Sequence, residues 1–334
     1  MINPQRTNII LIANVDSTFV RKDVRLFLGV CKVQKMTCTR PKGLLHFLLE
    51  QIKILIFISK NIRSSKVVIC WFADYHSFIP ALLSKVFAKP FYLIQGGYDT
   101  TYMPEYDYGV YTNKLRSFMV DYAYRHATLN LPVSHFLAKE IKERYNSKIK
   151  IEVLPTGYSI EESTQLNKEK SVLTVAGVDS EKRLLIKGID RFIELAIEMP
   201  DIPFTIIGVN KSLLKSYKLP DNLICIEALS KREVDEYYKK SQIYCQFSLR
   251  EGLPNAVLEA MSYECVVIGM NHSGIAEAIG DAGYVLDKWS VSNAKRLVEL
   301  AMLDTAKGSE GKARVREYFN EEIRGKRLLE IINK

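Results

Sequence analysis

Two glutamates eight residues apart, Glu251 and Glu259, stand in the segment FSLREGLPNAVLEAM (247–261). Here a short apolar run ends near Ser248, a loop follows, and a helix opens near Asn255. A carboxylate in the loop at a strand's carboxyl end sits where α/β sheets bind their ligands, and one that accepts two hydrogen bonds suits vicinal hydroxyls, as on a ribose. Gly252 lets a ligand approach the backbone closely. Behind Leu253 and Pro254, the free N–H groups of the first helical turn make a ready anion site. A second segment, TVAGVDSEKRLLIKGIDRFIELA (174–196), ends a strand at Gly177, continues as a loop with Lys182, Arg183 and Lys187, and opens a helix after Gly188. Arginine offers a phosphate a planar fork and lysine a point charge, so the loop is suited to a diphosphate. A third segment, NHSGIAEAIGDAGYVL (271–286), opens another helix at Gly274 and Glu277. Taken singly, the two glutamates read as surface acids and the basic loop as a solvated one. Their shared strand–loop–helix setting raises the EGLPN segment above that reading.

The elements that must hold these residues are short apolar runs alternating with amphipathic stretches. In the first half TNIILIAN (7–14), KVVICWF (66–72), PFYLIQG (90–96) and ATLNLPVS (127–134) predict buried strands. Residues 76–88, 112–127 and 134–146 predict helices between them, the last starting from Ser134 as N-cap. ANVDSTFVRKD (13–23) reads as a loop after the first strand. Residues 43–60 form the longest greasy stretch, but they include His46, Glu50, Gln51 and Lys53. A spanning helix needs about 20 mainly apolar residues, so this stretch reads as a buried or interfacial helix. The polar run 156–170 is the linker candidate. Beyond it the alternation repeats with strands at 171–177, 203–208, 222–229, 242–248, 265–270 and 283–286, and helices at 189–199, 231–241, 255–264 and 293–303. Ser230 and Glu233 form a capping box. A basic C-terminal segment, GKARVREYFNEEIRGKRLLEIINK, reads as one final helix. Strands alternating with helices imply parallel sheets built from right-handed βαβ units. The chain divides on this reading into 1–160, 161–312 and a terminal helix 313–334 that packs back across the domain boundary.

The chain has 334 residues, 47% apolar and 25% charged, a globular composition that excludes disordered and fibrous classes. Six scattered cysteines without a C-x-x-C pair argue against a disulfide scaffold or structural zinc and fit a reducing compartment. The N-terminal apolar run is too short for a signal peptide. Charge is uneven. Residues 1–150 hold 22 basic and 10 acidic residues, the remainder 25 and 28, and residues 21–66 hold eleven basic residues against Asp23 and Glu50. Such an imbalance suggests an anionic partner for the first half. Because the basic window coincides with the greasy stretch, it reads as an anionic membrane surface rather than nucleic acid.

The Glu251-to-Glu259 spacing with its EGLPN start, and the Lys187-Gly188 helix opening, resemble the donor domain of retaining glycosyltransferases of family 4 (glycosyl transferases group 1), over about 171–286. The resemblance implies a GT-B fold, α/β, with two doubly wound Rossmann-like domains and a cleft between them. It implies that Glu251 contacts the transferred sugar, that Glu259 binds the nucleotide ribose, and that Arg183 and Lys187 hold the diphosphate. Gly252, Leu253, Pro254 and Asn255 complete the implied donor site. Where the family commonly has Gly-Arg at the strand end, this chain has Gly177-Val178, and Arg183 is the implied substitute. The first half is similar more loosely. GGYD (96–99) takes the place of the family's His-Gly turn, and LPVSHF and LPTGYS look like its VS and PNG segments. Ser17, Thr18, Asp74, His76, Gly96, Gly97 and Asp99 are the residues expected to face the acceptor or the sugar, with Asp74 or His76 in the place of the family's sugar-contacting histidine.

The implied activity is transfer of a sugar, with retention and without a metal or other cofactor, from a nucleotide-diphosphate sugar to a saccharide or lipid-linked saccharide acceptor in surface polysaccharide or glycolipid synthesis. The implied location is cytoplasmic, on the inner face of the cell membrane. Two alternatives stand beside it: a GT-B enzyme that transfers nothing, such as a nucleotide-sugar epimerase, and a non-enzymatic basic module on a membrane.

Overall fold

The computed structural model describes residues 7–145, 148–160 and 166–333. Residues 161–165 of the expected linker and the 160/161 domain boundary therefore lie at or outside the described residues, as does Asn146 at the end of the third expected helix. The chain forms two compact units, 1–157 with 321–334, and 158–320.

The first unit runs β1 (Asn8–Ala13), α1 (Thr18–Leu28), β2 (Lys32–Thr37), α2 (Leu44–Asn61), β3 (Val67–Trp71), α3 (Phe78–Val86), β4 (Phe91–Gln95), α4 (Lys114–His126), β5 (Leu129–Pro132) and α5 (His135–Tyr145). Its parallel sheet has the order β2-β1-β3-β4-β5. The interior strands are continuous apolar runs because helices cover both faces of a parallel sheet; every residue of β3 and β4 is buried.

Two elements escape the apolar pattern. Strand β2, KVQKMT, lies at the sheet edge with its residues half-covered or exposed, so it lacks the signature of an interior strand. The segment expected as a loop after β1 contains helix α1 instead. Ser17 caps it by accepting from the Val20 N–H at 3.5 Å. Its inward face is Val20, Asp23 and Phe27, and the acid at the centre hides the helical period.

The second unit runs β6 (Glu169–Val178), α6 (Glu181–Ile186), α7 (Ile189–Ile197), β7 (Phe204–Val209), β8 (Leu223–Ile226), α8 (Lys231–Lys240), β9 (Ser241–Gln246), α9 (Asn255–Ser262), β10 (Val266–Met270), α10 (Ser273–Ile279), β11 (Gly283–Leu286), α11 (Val291–Leu303) and α12 (Ala306–Tyr318). The sheet order is β11-β10-β9-β6-β7-β8, all parallel. Counted within the unit this is the doubly wound order 3-2-1-4-5-6, whose ligand crevice opens where the winding reverses, between β6 and β9. The basic segment expected as a loop after β6 is helix α6, because Leu184 and Ile186 turn into the core. The single C-terminal helix is in fact two. It breaks where the Phe319 carbonyl accepts from the Tyr158 N–H at 2.6 Å, leaving α12 in the second unit and α13 (Glu321–Asn333) in the first.

Helix α13 is fastened to α1 by a buried ion pair. Arg324 Nε and Nη2 each donate to Asp23 at 2.7 Å. Its Nη1 donates to the carbonyls of Leu154 and Pro155 at 2.8 and 2.6 Å, and Trp71 Nε1 donates to Asp23 at 2.8 Å. Both side chains are at most 4% exposed. Removing one member of such a pair strands a charge. Arg324→Leu is therefore expected to destabilise the first unit by about 3–5 kcal/mol, and the Asp23→Leu/Arg324→Leu double variant by less than the single change. Urea unfolding followed by Trp71 fluorescence, in a Trp289→Phe background, measures both; a cost below about 1 kcal/mol for the single change contradicts the clamp.

Candidate active site

The turn between α6 and α7 places the first cation. Lys187 ends α6, its N–H donating to the Arg183 carbonyl at 2.9 Å, and Gly188 follows in the left-handed conformation at φ 67°. A Cβ on Gly188 would lie 2.2 Å from the carbonyl oxygen of Phe247 at the end of β9. Glycine is required twice over here, for its backbone angle and for lack of space.

This close approach brings the two loops of the switch point together. Lys187 Nζ donates to Glu251 Oε1 at 2.6 Å, with the two side chains 22% and 15% exposed. Buried Ser248 Oγ lies 2.9 Å from the same carboxylate oxygen and accepts from Gln246 Nε2 at 2.6 Å. Tyr244 OH holds Gln246 Oε1 at 2.8 Å. Backbone contacts stitch the Glu251 loop on both sides. The Leu249 N–H donates to the Ile186 carbonyl at 2.7 Å, and the Gly274 N–H to the Glu251 carbonyl at 3.0 Å. The Glu251 N–H donates to Ser273 Oγ at 3.2 Å. Gly274 is required for lack of space alone, since a Cβ there would fall 1.9 Å from the Gly252 oxygen.

Gly252, Leu253 and Pro254 are buried and Asn255 is half-buried; Pro254 occupies the N-cap of α9. Glu259, on the second turn of α9, pairs with Lys231 Nζ at 3.6 Å. Glu251 thus has Lys187 to itself, whereas Lys231 bonds Asp235 and stands within ion-pair distance of Glu259. Lys231 opens α8 directly after the Ser230 capping residue, and nothing in its local sequence distinguishes it from a solvated helix start. Ser248 and Gln246 were legible only as strand residues. Arg183, on α6, pairs with Asp179 at 3.3 Å and is substantially exposed; it does not join the Lys187–Glu251 pair.

In the first unit the expected acceptor-facing residues separate into two groups. Ser17 and Gly96 are half-buried and Thr18 is exposed, at the carboxyl ends of β1 and β4. The other four are enclosed. Asp74 grips Arg116, which donates through Nε at 2.8 Å and through Nη2, and Asp74 also accepts the Tyr75 N–H at 2.7 Å. Burial opposes the Arg116 charge, but the bond to Asp74, that acid's charge and Tyr98 together outweigh it and raise the guanidinium above its ordinary value. His76 is fully buried with Nε2 on the Trp71 carbonyl at 2.9 Å, and burial lowers its pKa. Asp99 accepts the N–H groups of Ala73, Gly96 and Gly97, at 3.1, 3.2 and 2.8 Å, so it folds the turn in which Gly97 takes φ 124°. Phe72, a residue without comparable sequence signal, adopts φ 66° beside them, a strained setting of the kind that collects at ligand sites. Its ring lies 5.8 Å from that of Phe19.

Two outcomes follow from these geometries. Gly188→Ala should cost on the order of 1–3 kcal/mol, read from unfolding monitored at Trp289, whose ring is 4.9 Å from Phe247; an unchanged transition contradicts the close-approach argument. Burial pushes the Asp99 carboxyl from 3.8 up to about 6, against the pull of the backbone N–H groups. Between those values the folded chain keeps a proton that the unfolded chain has released. The contribution to stability is thus fully present below about pH 3.8 and lost as pH rises through about 6. Asp99→Asn should remove that decline from the stability–pH profile, whatever its cost at every pH; the same slope in both proteins refutes the assignment.

Residues 159–322 match the family described as Glycosyl transferases group 1. No curated protein matches the chain in sequence. Among solved structures, sucrose-phosphate synthase from Thermosynechococcus elongatus superposes with a TM-score of 0.79 at 13% identity, covering 98% of each chain. Anabaena Alr3699/HepE in complex with UDP-glucose gives 0.76 at 12% identity, over 98% of this chain and 99% of that one. A UDP-forming α,α-trehalose-phosphate synthase from Burkholderia xenovorans gives 0.72 at 11% identity, over 98% and 99%. At these identities the likeness speaks for the fold. The sheet orders, the switch-point loops and these matches together establish that residues 159–322 are a glycosyl transferases group 1 domain, in a chain of the GT-B fold with two Rossmann-like domains.

Proposed function

We propose that the protein is a retaining glycosyltransferase that moves a sugar from a nucleotide-diphosphate sugar to a hydroxyl of a saccharide or lipid-linked saccharide, in the synthesis of a surface polysaccharide or glycolipid. The observation that carries this reading is the partly exposed Glu251 carboxylate, held at the switch point of the matched domain by Lys187 at 2.6 Å and Ser248 at 2.9 Å. In the first unit the acids of the candidate site are enclosed by their partners. Glu251 instead keeps one face open beside a cation, the arrangement a sugar diphosphate needs.

Lys187 exchanges its carboxylate partner for the donor's phosphate oxygens, with Arg183 as a second cation. Glu251 is then released to accept from the sugar hydroxyls, and Glu259 accepts from the ribose. Backbone N–H groups at the start of α9 face the same anion. The bond between the anomeric carbon and the phosphate oxygen breaks, and the acceptor oxygen bonds to that carbon from the same face. The acceptor proton passes to the departing phosphate. Stabilisation goes to charge that develops as the diphosphate leaves, the largest contribution such sites commonly make. The side chains neutralise the diphosphate themselves, so the mechanism calls on no divalent cation and no bound cofactor. Six free cysteines accord with the reducing cytoplasmic side of a membrane.

A thermal-shift screen of nucleotide sugars identifies the donor, since a ligand at 100 times its Kd stabilises by about 2.7 kcal/mol. With that donor, Glu251→Ala is expected to abolish transfer while leaving the fold intact, and Lys187→Ala to lower kcat by about 10²–10³. Full activity in the Glu251 variant refutes the reading, and a product that is an altered nucleotide sugar rather than a glycosylated acceptor replaces it with epimerisation.

A further inference from the structure

Helix α2 turns two very different faces. Inward, Ile54 and Ile58 are fully buried, and Glu50 accepts the Thr39 N–H at 2.8 Å. Outward, Leu45, Leu48, Leu49, Ile52, Leu55 and Ile56 are each 41–73% exposed. At 3.6 residues per turn these six fall within one stripe about 120° wide, on a helix about 27 Å long. Scattered exposed aliphatic residues need no explanation, but a continuous stripe marks a surface that is covered in use.

Charge identifies what covers it. Between residues 24 and 73 the chain has nine basic residues and one acid, Glu50, and that acid faces inward. Lys53 and Lys60 are exposed and border one edge of the stripe by the same helical count; Arg40 and Lys42 precede its first turn, and Arg63 and Lys66 follow its last, all exposed. A second copy of the chain would set like charges against each other. A single-stranded nucleic acid would look for aromatic platforms, and the stripe is wholly aliphatic. An anionic lipid surface answers both features. Leucine and isoleucine side chains enter the boundary of the acyl chains, and the lysine stems run outward to anionic headgroups. Among the described residues no helix is long and apolar enough to cross a membrane.

We propose that α2 docks the protein on an anionic bilayer, lying in the plane of the interface with this stripe immersed. The right-handed crossovers of the β2-β1-β3-β4-β5 sheet place α3 and α4 in the same layer as α2. These helices add exposed Val86, Leu115 and Phe118. The surface supplies a lipid-linked acceptor to the reaction proposed above, but it is measured without donor or acceptor, so the two readings fail separately.

The full chain is sedimented with vesicles of phosphatidylglycerol and phosphatidylcholine, and with vesicles of phosphatidylcholine alone. The expected result is partition onto the anionic vesicles that weakens as salt is raised. Lys53→Gln/Lys60→Gln should bind the anionic vesicles about thirtyfold more weakly. Leu49→Ser/Ile52→Ser/Ile56→Ser should lose binding while keeping the fold, read as an unchanged far-ultraviolet circular dichroism spectrum and a cooperative unfolding transition, because Leu49, Ile52 and Ile56 are about half exposed. The proposal is overturned if the unaltered chain stays in the supernatant with anionic vesicles at low salt, or if both variants partition as it does. It is also overturned if the chain is a dimer that the triple variant dissociates, which would give the stripe to a second copy.

Discussion

The backbone of Gly188 lies so close to the Phe247 carbonyl that no side chain fits between them, and the candidate site depends on that closeness. Strands β6 and β9 are neighbours in the sheet, but their connections leave in opposite directions, which opens a crevice at their carboxyl ends. Without the glycine, the loops on the two sides of the crevice would stand further apart. With it, Lys187 at the C-cap of α6 reaches across to Glu251 in the loop after β9. Gly274 repeats the device between β9 and β10. The loops belonging to three neighbouring strands, β6, β9 and β10, are thus joined backbone to backbone, and Glu251 is positioned by rigid elements rather than by its own rotamer preference.

The molecule uses its acids in two ways, and burial separates them. Asp23, Asp74 and Asp99 are each at most 3% exposed. Each spends its oxygens on architecture: a returning helix, a strand-end turn, and the turn through Gly97. Such acids are expensive to enclose and so are fully partnered. Glu251 and Glu259 are 15% and 17% exposed, and each is paired with a lysine that is itself open to solvent. A lysine in that setting can trade its carboxylate for a ligand's phosphate at little cost, because the exchange swaps one anion for another. An enclosed pair such as Asp23 and Arg324 has no comparable alternative.

The second sheet was legible as six apolar runs because its four interior strands are covered on both faces and its edge strands β8 and β11 still carry the sequences LICI and GYVL. The first sheet was less so. Strand β2 is an edge strand with polar residues, and the inward stripe of α1 contains Asp23, whose partner Arg324 lies 301 residues away. No window of sequence can reveal that an acid is apolar-equivalent through a distant cation. For the same reason the chain end read as a single helix: the partner at its break is Tyr158, which is 161 residues earlier in the chain and opens the second unit.

At the site, the motif alone determined the residue types, their order and their strand–loop–helix setting: Lys187 with its glycine, Glu251 in the EGLPN loop, Glu259 on the following helix. These depend on spacing along the chain, and spacing is local. Tertiary structure decided the partners. It gave Lys187 to Glu251, set Lys231 between Asp235 and Glu259, left Arg183 on Asp179, and enclosed Asp74, His76 and Asp99. Pairing is set by distance in space, burial and competition among donors, and those exist only after the sheet has brought remote strand ends together.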